Sequence, residues 1–364
     1  MTTTSGLEVL QPGRGPIRST YLPATPDTVL WGRLPCAADA PVVTVEPGTE
    51  VTVDTVSHEG LLEDQGRDPE TFFTAHGATD VLEDAVAIAS SGLPHTFGVD
   101  GPHLVSRPVR VDGARVGDLL AITVVETLPR VPYGVVSNRH GRGALPGEFP
   151  LDGELFSAFA TVQDGPDGAR GALPLVPGGE PVVTFPLAPF LGIMGVAVAG
   201  ASRPHSVPPG PHGGNLDINL LTAGSTLYLP VQVDGALAYV GDPHFAQGDG
   251  EVALTAMEAS LRATVRFDVV PHEDAVRRFG ELAGPLAETR DHLVPTGLDE
   301  DLDQAVRNCV RAAIALLEAR YGMDPRLAYA YLSAATDFDI SQVVDVVSGV
   351  HARIRKADFA AVAR

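Results

Sequence analysis

The stretch "GPHGGNLDINLLTAGSTLYLPVQVDGALAYVGDPHFAQGDGE", from Gly210 to Glu251, combines strand-like runs with chemically reactive side chains. Its apolar centre, "STLYLPVQV", is followed by "ALAYV", and the pair Asp234-Gly235 separates the two runs. Asp-Gly pairs favour tight turns, because glycine adopts a positive φ at no steric cost. The stretch therefore predicts strands flanked by two loops, "PHGGNLD" and "GDPHFAQGDGE", which carry the histidines and carboxylates.

The same β-like alternation extends outward in both directions. "VVTVEPGTEVTVDTV", from Val42 to Val56, alternates apolar and polar residues around a Pro-Gly turn, a pattern typical of a β-hairpin. "PVRVDGARVGDLLAITVVETL", from Pro108 to Leu128, follows the same pattern. "EPVVTFPLAPF" and "EVALTAMEASLRATVRFDVV" predict further strands on either side of the central stretch.

Beyond residue 295 the apolar periodicity becomes helical. One face of the predicted helix carries Val306, Cys309, Val310, Ala313, Ile314 and Leu317. Acidic residues at 299–301 precede this helix, Gly322 ends it, and Asp324-Pro325 begins a second one. We therefore expect a mainly β fold, of the sandwich or barrel-like type, with a helical C-terminal segment, an α+β arrangement.

The pattern of elements predicts three units along the chain. They are an N-terminal β-rich domain over 1–190, a β-rich domain over 191–295 that carries both loops, and a helical C-terminal segment over 296–364. The 39 glycines and 31 prolines are spread along the chain, as expected for many turns between short strands.

Charge and composition restrict the partners and the compartment. A formal net charge of −21 without any run of Lys or Arg argues against nucleic acid. No apolar run reaches the roughly eighteen residues of a membrane span, and the N-terminus has no signal-peptide core. The two cysteines, Cys36 and Cys309, lack metal or redox spacing. We expect a cytoplasmic protein that acts on a small molecule, with no membrane partner.

Signatures of a nucleophilic side chain are scarce, so a metal-activated water is the favoured chemistry. There is no G-x-S-x-G elbow, and Cys309 falls on the apolar helix face. Histidines and carboxylates, which are ligands for Zn²⁺, collect in two places: "SHEGLLEDQGRDPE", with His58 and Asp64, and the opening stretch. Asp242 and His244 are two apart, so on a strand both face one side. Asp234 and Asp249 also fit simple turns, and we interpret them as structural.

At these residues the chain resembles the acetamidase/formamidase family. The motifs that carry the resemblance are "PGPHGGNLD", "GSTLYLPVQVDGAL" and "VGDPHFAQGDGEV", in that order, and the likeness extends over about residues 40–270. It implies a β-rich fold, a homodimer or higher oligomer, hydrolysis of a short amide to a carboxylate and ammonia, and a divalent metal, Zn²⁺ or alternatively Ca²⁺. Where the family reads Thr-Gly-Pro, this chain has Ser106-Arg107-Pro108.

The resemblance and the residue types together predict specific roles. The predicted metal ligands are His212, His244, Asp242, Asp217 and His58. Glu251 or Asp64 is the predicted general base, and Asn215 with the amides of Gly213 and Gly214 is predicted to bind the oxyanion. Arg107 is a predicted substrate-binding residue, because a guanidinium there favours a substrate with a carboxylate. Two alternatives stay open: a hydrolase of another C–N bond, such as a carbamate, cyclic imide or ureido compound, and a non-catalytic metal-binding β module.

Overall fold

A computed structural model describes residues 6–18 and 20–362. Within them the strands are β1 (Thr20–Leu22), β2 (Val29–Trp31), β3 (Val43–Val45), β4 (Thr49–Asp54), β5 (Leu104–Ser106), β6 (Val109–Val111), β7 (Leu119–Pro129), β8 (Tyr133–Arg139), β9 (Leu155–Gly165), β10 (Gly168–Pro174), β11 (Val182–Pro186), β12 (Phe190–Val196), β13 (Gly213–Asn215), β14 (Thr226–Pro230), β15 (Ala238–Ala246), β16 (Met257–Glu258), β17 (Leu261–Val270), β18 (Leu286–Glu288), β19 (His292–Asp299), β20 (Asp337–Gln342) and β21 (Ser348–Arg355). The helices are α1 (Pro69–Ala75), α2 (Glu83–Ala89), α3 (His272–Phe279), α4 (Leu302–Tyr321) and α5 (Pro325–Ala335), with 3₁₀ turns at Glu63–Gln65 and Lys356–Phe359. None of these helices is long and apolar enough to cross a membrane.

The strands form two sheets that share one apolar core. The first sheet has the order β1-β4-β17-β7-β14-β18-β19-β21-β20. The second has the order β11-β10-β9-β8-β16-β15-β12-β13, with β5 and β6 also paired to β15. The largest cluster of buried side chains joins Ile122 and Val265 of the first sheet to Leu191 and Val240 of the second. The sheets therefore pack face to face, and the predicted mainly β, sandwich-like fold is confirmed.

The turns do not make the hairpins that the local patterns predict. Strands β3 and β4 flank the turn at Pro47-Gly48, yet β3 pairs with β6 while β4 pairs with β1 and β17. The Asp234-Gly235 turn likewise leads from β14 in the first sheet to β15 in the second. The predicted hairpin over Val42–Val56 is thus wrong, because an apolar face packs equally well against an adjacent strand or against the facing sheet.

The C-terminal segment contains the predicted helices and two further strands. Asp301 caps α4 by accepting a hydrogen bond from the Gln304 amide, and Gly322 ends the helix at φ +64°. Asp324 caps α5, with Pro325 at its first position. The helix α4 packs on the first sheet, whose last two strands, β21 and β20, come from this same segment. The region is therefore not wholly helical.

Strands from each of the three predicted units are mixed in the first sheet. The strand β7, from the first unit, lies between β17 and β14 from the second, and β21 pairs with β19 across the boundary at residue 295. This pairing places residues that are far apart in sequence around common edges of the sandwich.

Candidate active site

A cavity of about 460 Å³ lies where loops and strand ends from several parts of the chain meet. The buried imidazole, amide and carboxyl groups that line it are His58, His103, Asn215, Asp217, Asp242, Glu251, Glu258 and Asp345. Some come from strands β13, β15 and β16. The others come from the loops that follow β4, β13 and β15, from the segment before β5, and from the turn between β20 and β21. Such a concentration of buried polar groups in one cavity marks a candidate functional site.

Three of the site carboxylates are held on unusual backbone. Asp217, Asp242 and Glu251 have φ values of +50°, +53° and +47°. Residues other than glycine rarely adopt this left-handed conformation, which persists only where the surrounding structure imposes it. Val346, a cavity residue beside Asp345, has φ +68°, and this costs a β-branched side chain more. The fold therefore fixes the direction of these side chains at some cost to stability.

The cluster packs against bare backbone at Gly192 in β12. A Cβ atom at this position would overlap the carboxylate oxygens of Asp217 and Asp242 and would meet the His244 ring at 2.7 Å. The Gly192 carbonyl also accepts hydrogen bonds from the amides of Leu216 and Asp217. Glycine is therefore required here for space, since a side chain would displace two carboxylates.

Asp242 is the centre of the cluster, and its two oxygens face different partners. Oδ2 lies 3.1 Å from His244 Nε2, which also lies 3.1 Å from Glu258 Oε1. Burial alone would lower the pKa of His244, but Glu258 and Asp242 outweigh it and raise the pKa well above its ordinary value. Burial would raise the pKa of Asp242, but the imidazoles of His244 and His103 hold it well below its usual range. Asp242 is thus an ionised carboxylate.

The other oxygen of Asp242 faces two histidines without bonding to them. Oδ1 lies 3.9 Å from His58 Nδ1 and 4.0 Å from His103 Nε2. Both Asp242 Oδ1 and His58 Nδ1 are buried and have no hydrogen-bond partner among the described residues. A separation near 4 Å is too long for a hydrogen bond, but ligands that each lie about 2 Å from one ion are about 3–4 Å apart.

Neighbouring side chains orient the two histidines. His103 Nδ1 shares a 2.9 Å hydrogen bond with Ser206 Oγ, so a donating Nδ1–H leaves the Nε2 lone pair directed at Asp242. His58 Nε2 lies 3.4 Å from Glu59 Oε1. A carboxylate or hydroxyl behind the imidazole is the usual support of a metal-binding histidine. His58, His103 and Asp242 therefore form the set best able to hold a divalent cation.

A second group in the cavity consists of carboxyls alone. Ligand atoms of Asp217, Glu251 and Asp345 lie within 4.8 Å of one another. Burial raises the pKa of Asp345 to about 8, and burial with neighbouring carboxylates raises the pKa values of Asp217 and Glu251 well above the ordinary range. Asp345 can therefore hold and release a proton near neutral pH. Beside a set of residues able to hold a cation, such proton-carrying carboxyls suit hydrolytic chemistry.

The structure brings together six of the residues predicted from sequence. They are His58, Asn215, Asp217, Asp242, His244 and Glu251. His244 holds its place by hydrogen bonds, because its Nε2 is engaged by two carboxylates and its Nδ1 shares a 3.1 Å hydrogen bond with Gln247 Oε1. Asn215 lines the cavity, and its buried Oδ1 has no partner within the described residues.

The other predicted site residues lie outside this cluster. Both oxygens of Asp64 accept from Arg139, at 2.6 and 3.3 Å. The Gly213 amide donates to Gly210, and Gly213 and Gly214 pair with β12 as strand residues. His212 is buried beside these glycines, and burial lowers its pKa to about 4. Arg107 follows β5 and does not line the cavity. These residues lie close to the site motifs in sequence, but in the folded chain none of them belongs to the cluster.

Three cluster residues were not predicted. His103 stands alone in "GPHLVSRPV", and its carboxylate neighbours reach it only through the fold. Glu258 lies in a strand-like run, where an isolated carboxylate usually faces solvent. Asp345 lies beyond α5 in the segment expected to be helical. No local pattern marks any of the three.

Comparison with known proteins points to the same region of the chain as the site geometry. The Acetamidase/Formamidase family profile matches residues 197–354. The formamidase of Methylophilus methylotrophus is 28% identical over 303 residues, 67% of this chain and 74% of that protein. The acetamidase of Mycolicibacterium smegmatis is 28% identical over 237 residues, 50% of this chain and 57% of that protein. The matched range contains Asp217, Asp242, Glu251, Glu258 and Asp345.

A solved structure shares the whole fold. The crystal structure of an acetamidase from Yersinia enterocolitica superposes with a TM-score of 0.73 at 23% identity, covering 99% of this chain and 96% of that one. The sequence matches to curated relatives extend over 52% to 74% of the relatives' own length. The sandwich is therefore a known architecture, and the predicted family resemblance is confirmed.

Proposed function

We propose that this chain, which is similar to the acetamidase/formamidase family over residues 197–354, hydrolyses a small amide to a carboxylate and ammonia with the help of a divalent cation. One observation carries the proposal: His58 Nδ1 and Asp242 Oδ1 are buried 3.9 Å apart and have no hydrogen-bond partner among the described residues, in a cavity that also holds carboxyls of raised pKa. Unpaired buried donors and acceptors are costly, so their persistence supports a bound ligand.

The donor set favours Zn²⁺ over Ca²⁺. His58, His103 and Asp242 would hold the ion with two nitrogens and one oxygen, whereas Ca²⁺ prefers oxygen ligands throughout. When bound, a divalent cation there supplies polarisation of the amide carbonyl and a lowered pKa for water. His244, a predicted ligand, supports the site in a different way: it fixes Asp242 by hydrogen bonding. Asp217 lies on the far side of His244, 3.9 Å from its Nδ1.

The chain's own residues supply the proton transfers. Glu251 accepts a proton from the attacking water and returns it to the departing nitrogen, a role that a raised carboxyl pKa supports. Asp345 is the neighbouring carboxyl able to hold that proton in the interval. The Asn215 side chain, free in the cavity wall, donates to the oxygen that becomes negative in the tetrahedral state. Asp64 is not assigned the role of general base, because both of its carboxylate oxygens accept hydrogen bonds from Arg139.

Removal of the metal tests the proposal directly. We expect the purified protein to contain a divalent cation by elemental analysis, and to release ammonia from formamide or acetamide. A chelator should abolish that release, and added Zn²⁺ should restore it. Full turnover by metal-free protein would contradict the metal role. Metal binding without turnover of any linear amide, carbamate, cyclic imide or ureido compound would favour the non-catalytic metal module instead.

Substitution of Gly192, which packs against the cluster, should change the positions of the carboxylates without removing any of them. We expect Gly192→Ala to lower kcat by about a hundredfold, because a Cβ there displaces Asp217 and Asp242, and small displacements of reacting groups have effects of this size. Ammonia release and circular dichroism measure the loss and the retained fold. Gly147→Ala, at a glycine with open space around it, is the matched control. Equal activity of the two variants would show that the packing at Gly192 is unimportant.

A further inference from the structure

The geometry points to a substrate larger than acetamide: an amide whose acyl chain ends in an anionic group, such as a carboxylate, that Arg142 recognises. This inference rests on the proposed function, because it concerns the same cavity. It names the substrate class that the outer part of the cavity fits, while the cation site and the carboxyl cluster act on the amide end.

The size of the cavity is the first step. Acetamide has only a few non-hydrogen atoms and occupies roughly 100 Å³, the share of about three liquid water molecules. The cavity holds about 460 Å³, within the range of pockets that take ligands of many atoms. A larger substrate fills space that a simple short amide would leave to water.

The cavity also has an apolar lining. It is formed by Phe97, Val207, Pro208, Val344 and Val346, beside the polar side chains of Asp100, His140 and His205. Phe97 and Val346 remain 47% and 62% exposed, which leaves apolar surface for a ligand to cover. An alkyl spacer between the amide and the far end of the substrate suits this wall.

The charge of the far end follows from the arginines. Two arginines line the cavity, and Arg139 is neutralised by Asp64 through two hydrogen bonds. The Arg142 guanidinium has no hydrogen bond or ion pair with any residue that the structure describes. Its loop is nevertheless anchored, because the Arg142 amide donates to Arg139 and the Ala144 amide donates to Val252. Arg142 therefore places an exposed guanidinium at the cavity on an anchored backbone, with no partner among the described residues.

The location of the negative charges supports a substrate orientation in which the amide end lies at the carboxyl cluster and the anionic end lies at Arg142. Five buried carboxyls line the reacting end, and the ionised Asp242 among them would repel an anionic group of the substrate there. At a net charge of −21, the chain as a whole does not attract anions either. Binding of an anionic substrate thus requires a local contact, and a guanidinium provides the bidentate geometry that carboxylates favour.

Three amides of similar length and different terminal charge test the inference. We expect kcat/KM for adipamate, the mono-amide of a dicarboxylate, to exceed that for hexanamide by about tenfold to a hundredfold, the usual effect of a charge-assisted hydrogen bond. The value for 6-aminohexanamide should be the lowest. Succinamate and glutaramate locate the preferred spacer length. A preference for hexanamide or for the cationic amide would overturn the inference.

Variants tie the preference to one residue. In Arg142→Gln the adipamate-to-hexanamide ratio of kcat/KM should fall to near one, and Arg142→Lys should restore part of it. Arg307→Gln removes an exposed arginine outside the cavity and should keep the wild-type ratio. An unchanged ratio in Arg142→Gln would overturn the assignment. If no amide is hydrolysed, the proposed function fails, yet calorimetric binding of adipamate against hexanamide still decides the charge preference.

Discussion

Asp242→Asn should reduce kcat/KM for amide hydrolysis by about a thousandfold and should remove the bound cation. The substitution keeps the shape of the side chain but removes the negative charge that faces His58, His103 and His244. A neutral amide is a poor ligand for Zn²⁺, and its nitrogen would point toward one of the imidazoles. Ammonia release and elemental analysis of the same preparation measure the two losses together.

The fold itself should tolerate this change. Asp242 pairs with His244 Nε2, so the change costs some stability, but Glu258 Oε1 still lies 3.1 Å from the same nitrogen and keeps the imidazole paired. We expect the circular dichroism spectrum of Asp242→Asn to match that of the wild type. Asp234→Asn, in the exposed turn between β14 and β15, is the control and should retain metal and activity. A metal-free Asp242→Asn that still hydrolyses amides at the wild-type rate would remove the cation from the mechanism.

The comparison of sequence and structure separates local from non-local information. Alternation and turn residues predict strands such as β4, β7 and β14, because these depend on neighbours in sequence. The caps at Asp301, Asp324 and Gly322 are predictable for the same reason. Strand pairing is not: the turns at Pro47-Gly48 and Asp234-Gly235 lead from one sheet to the other, and an alternating pattern does not distinguish this from a hairpin.

In the candidate site, too, some residues can be predicted from local sequence and others cannot. Asp242, Asp217 and Glu251 were predicted because glycine-rich motifs surround them, and left-handed backbone at these positions explains why such flexible segments are present. His103 and Asp345 were not predicted, since each reaches the cluster from a different segment of the chain. The C-terminal strands explain the latter: pairing of β20 with β21 positions the turn that carries Asp345. A site assembled across two sheets is therefore only partly visible in local motifs.

Away from the cavity, a buried network of charges links the neighbouring strands β1, β4 and β17 to the end of β7 and to helix α2. Asp54 accepts hydrogen bonds from Arg262 at 2.6 and 2.9 Å and from the Tyr21 hydroxyl at 2.6 Å. Arg130 lies 3.7 Å from Asp54 and 2.8 Å from Asp84. Arg130 and Arg262 are almost fully buried, at 0% and 1% exposure. Because buried charges are stable only when paired, each carboxylate here offsets a large desolvation cost.

Asp54→Asn should therefore lower the free energy of unfolding by about 3–5 kcal/mol, since it leaves two buried guanidinium groups with one carboxylate. Urea denaturation measures the change. Asp268→Asn is the matched control: its pair with Arg266, on the same strand β17, has a similar 2.9 Å contact but is 40% exposed on both sides, so we expect a loss below about 1 kcal/mol. The double variant Asp54→Leu with Arg262→Leu should be more stable than Asp54→Asn, because it removes the unpaired charge together with its partner. If Asp54→Asn is as mild as Asp268→Asn, the buried network does not stabilise the fold.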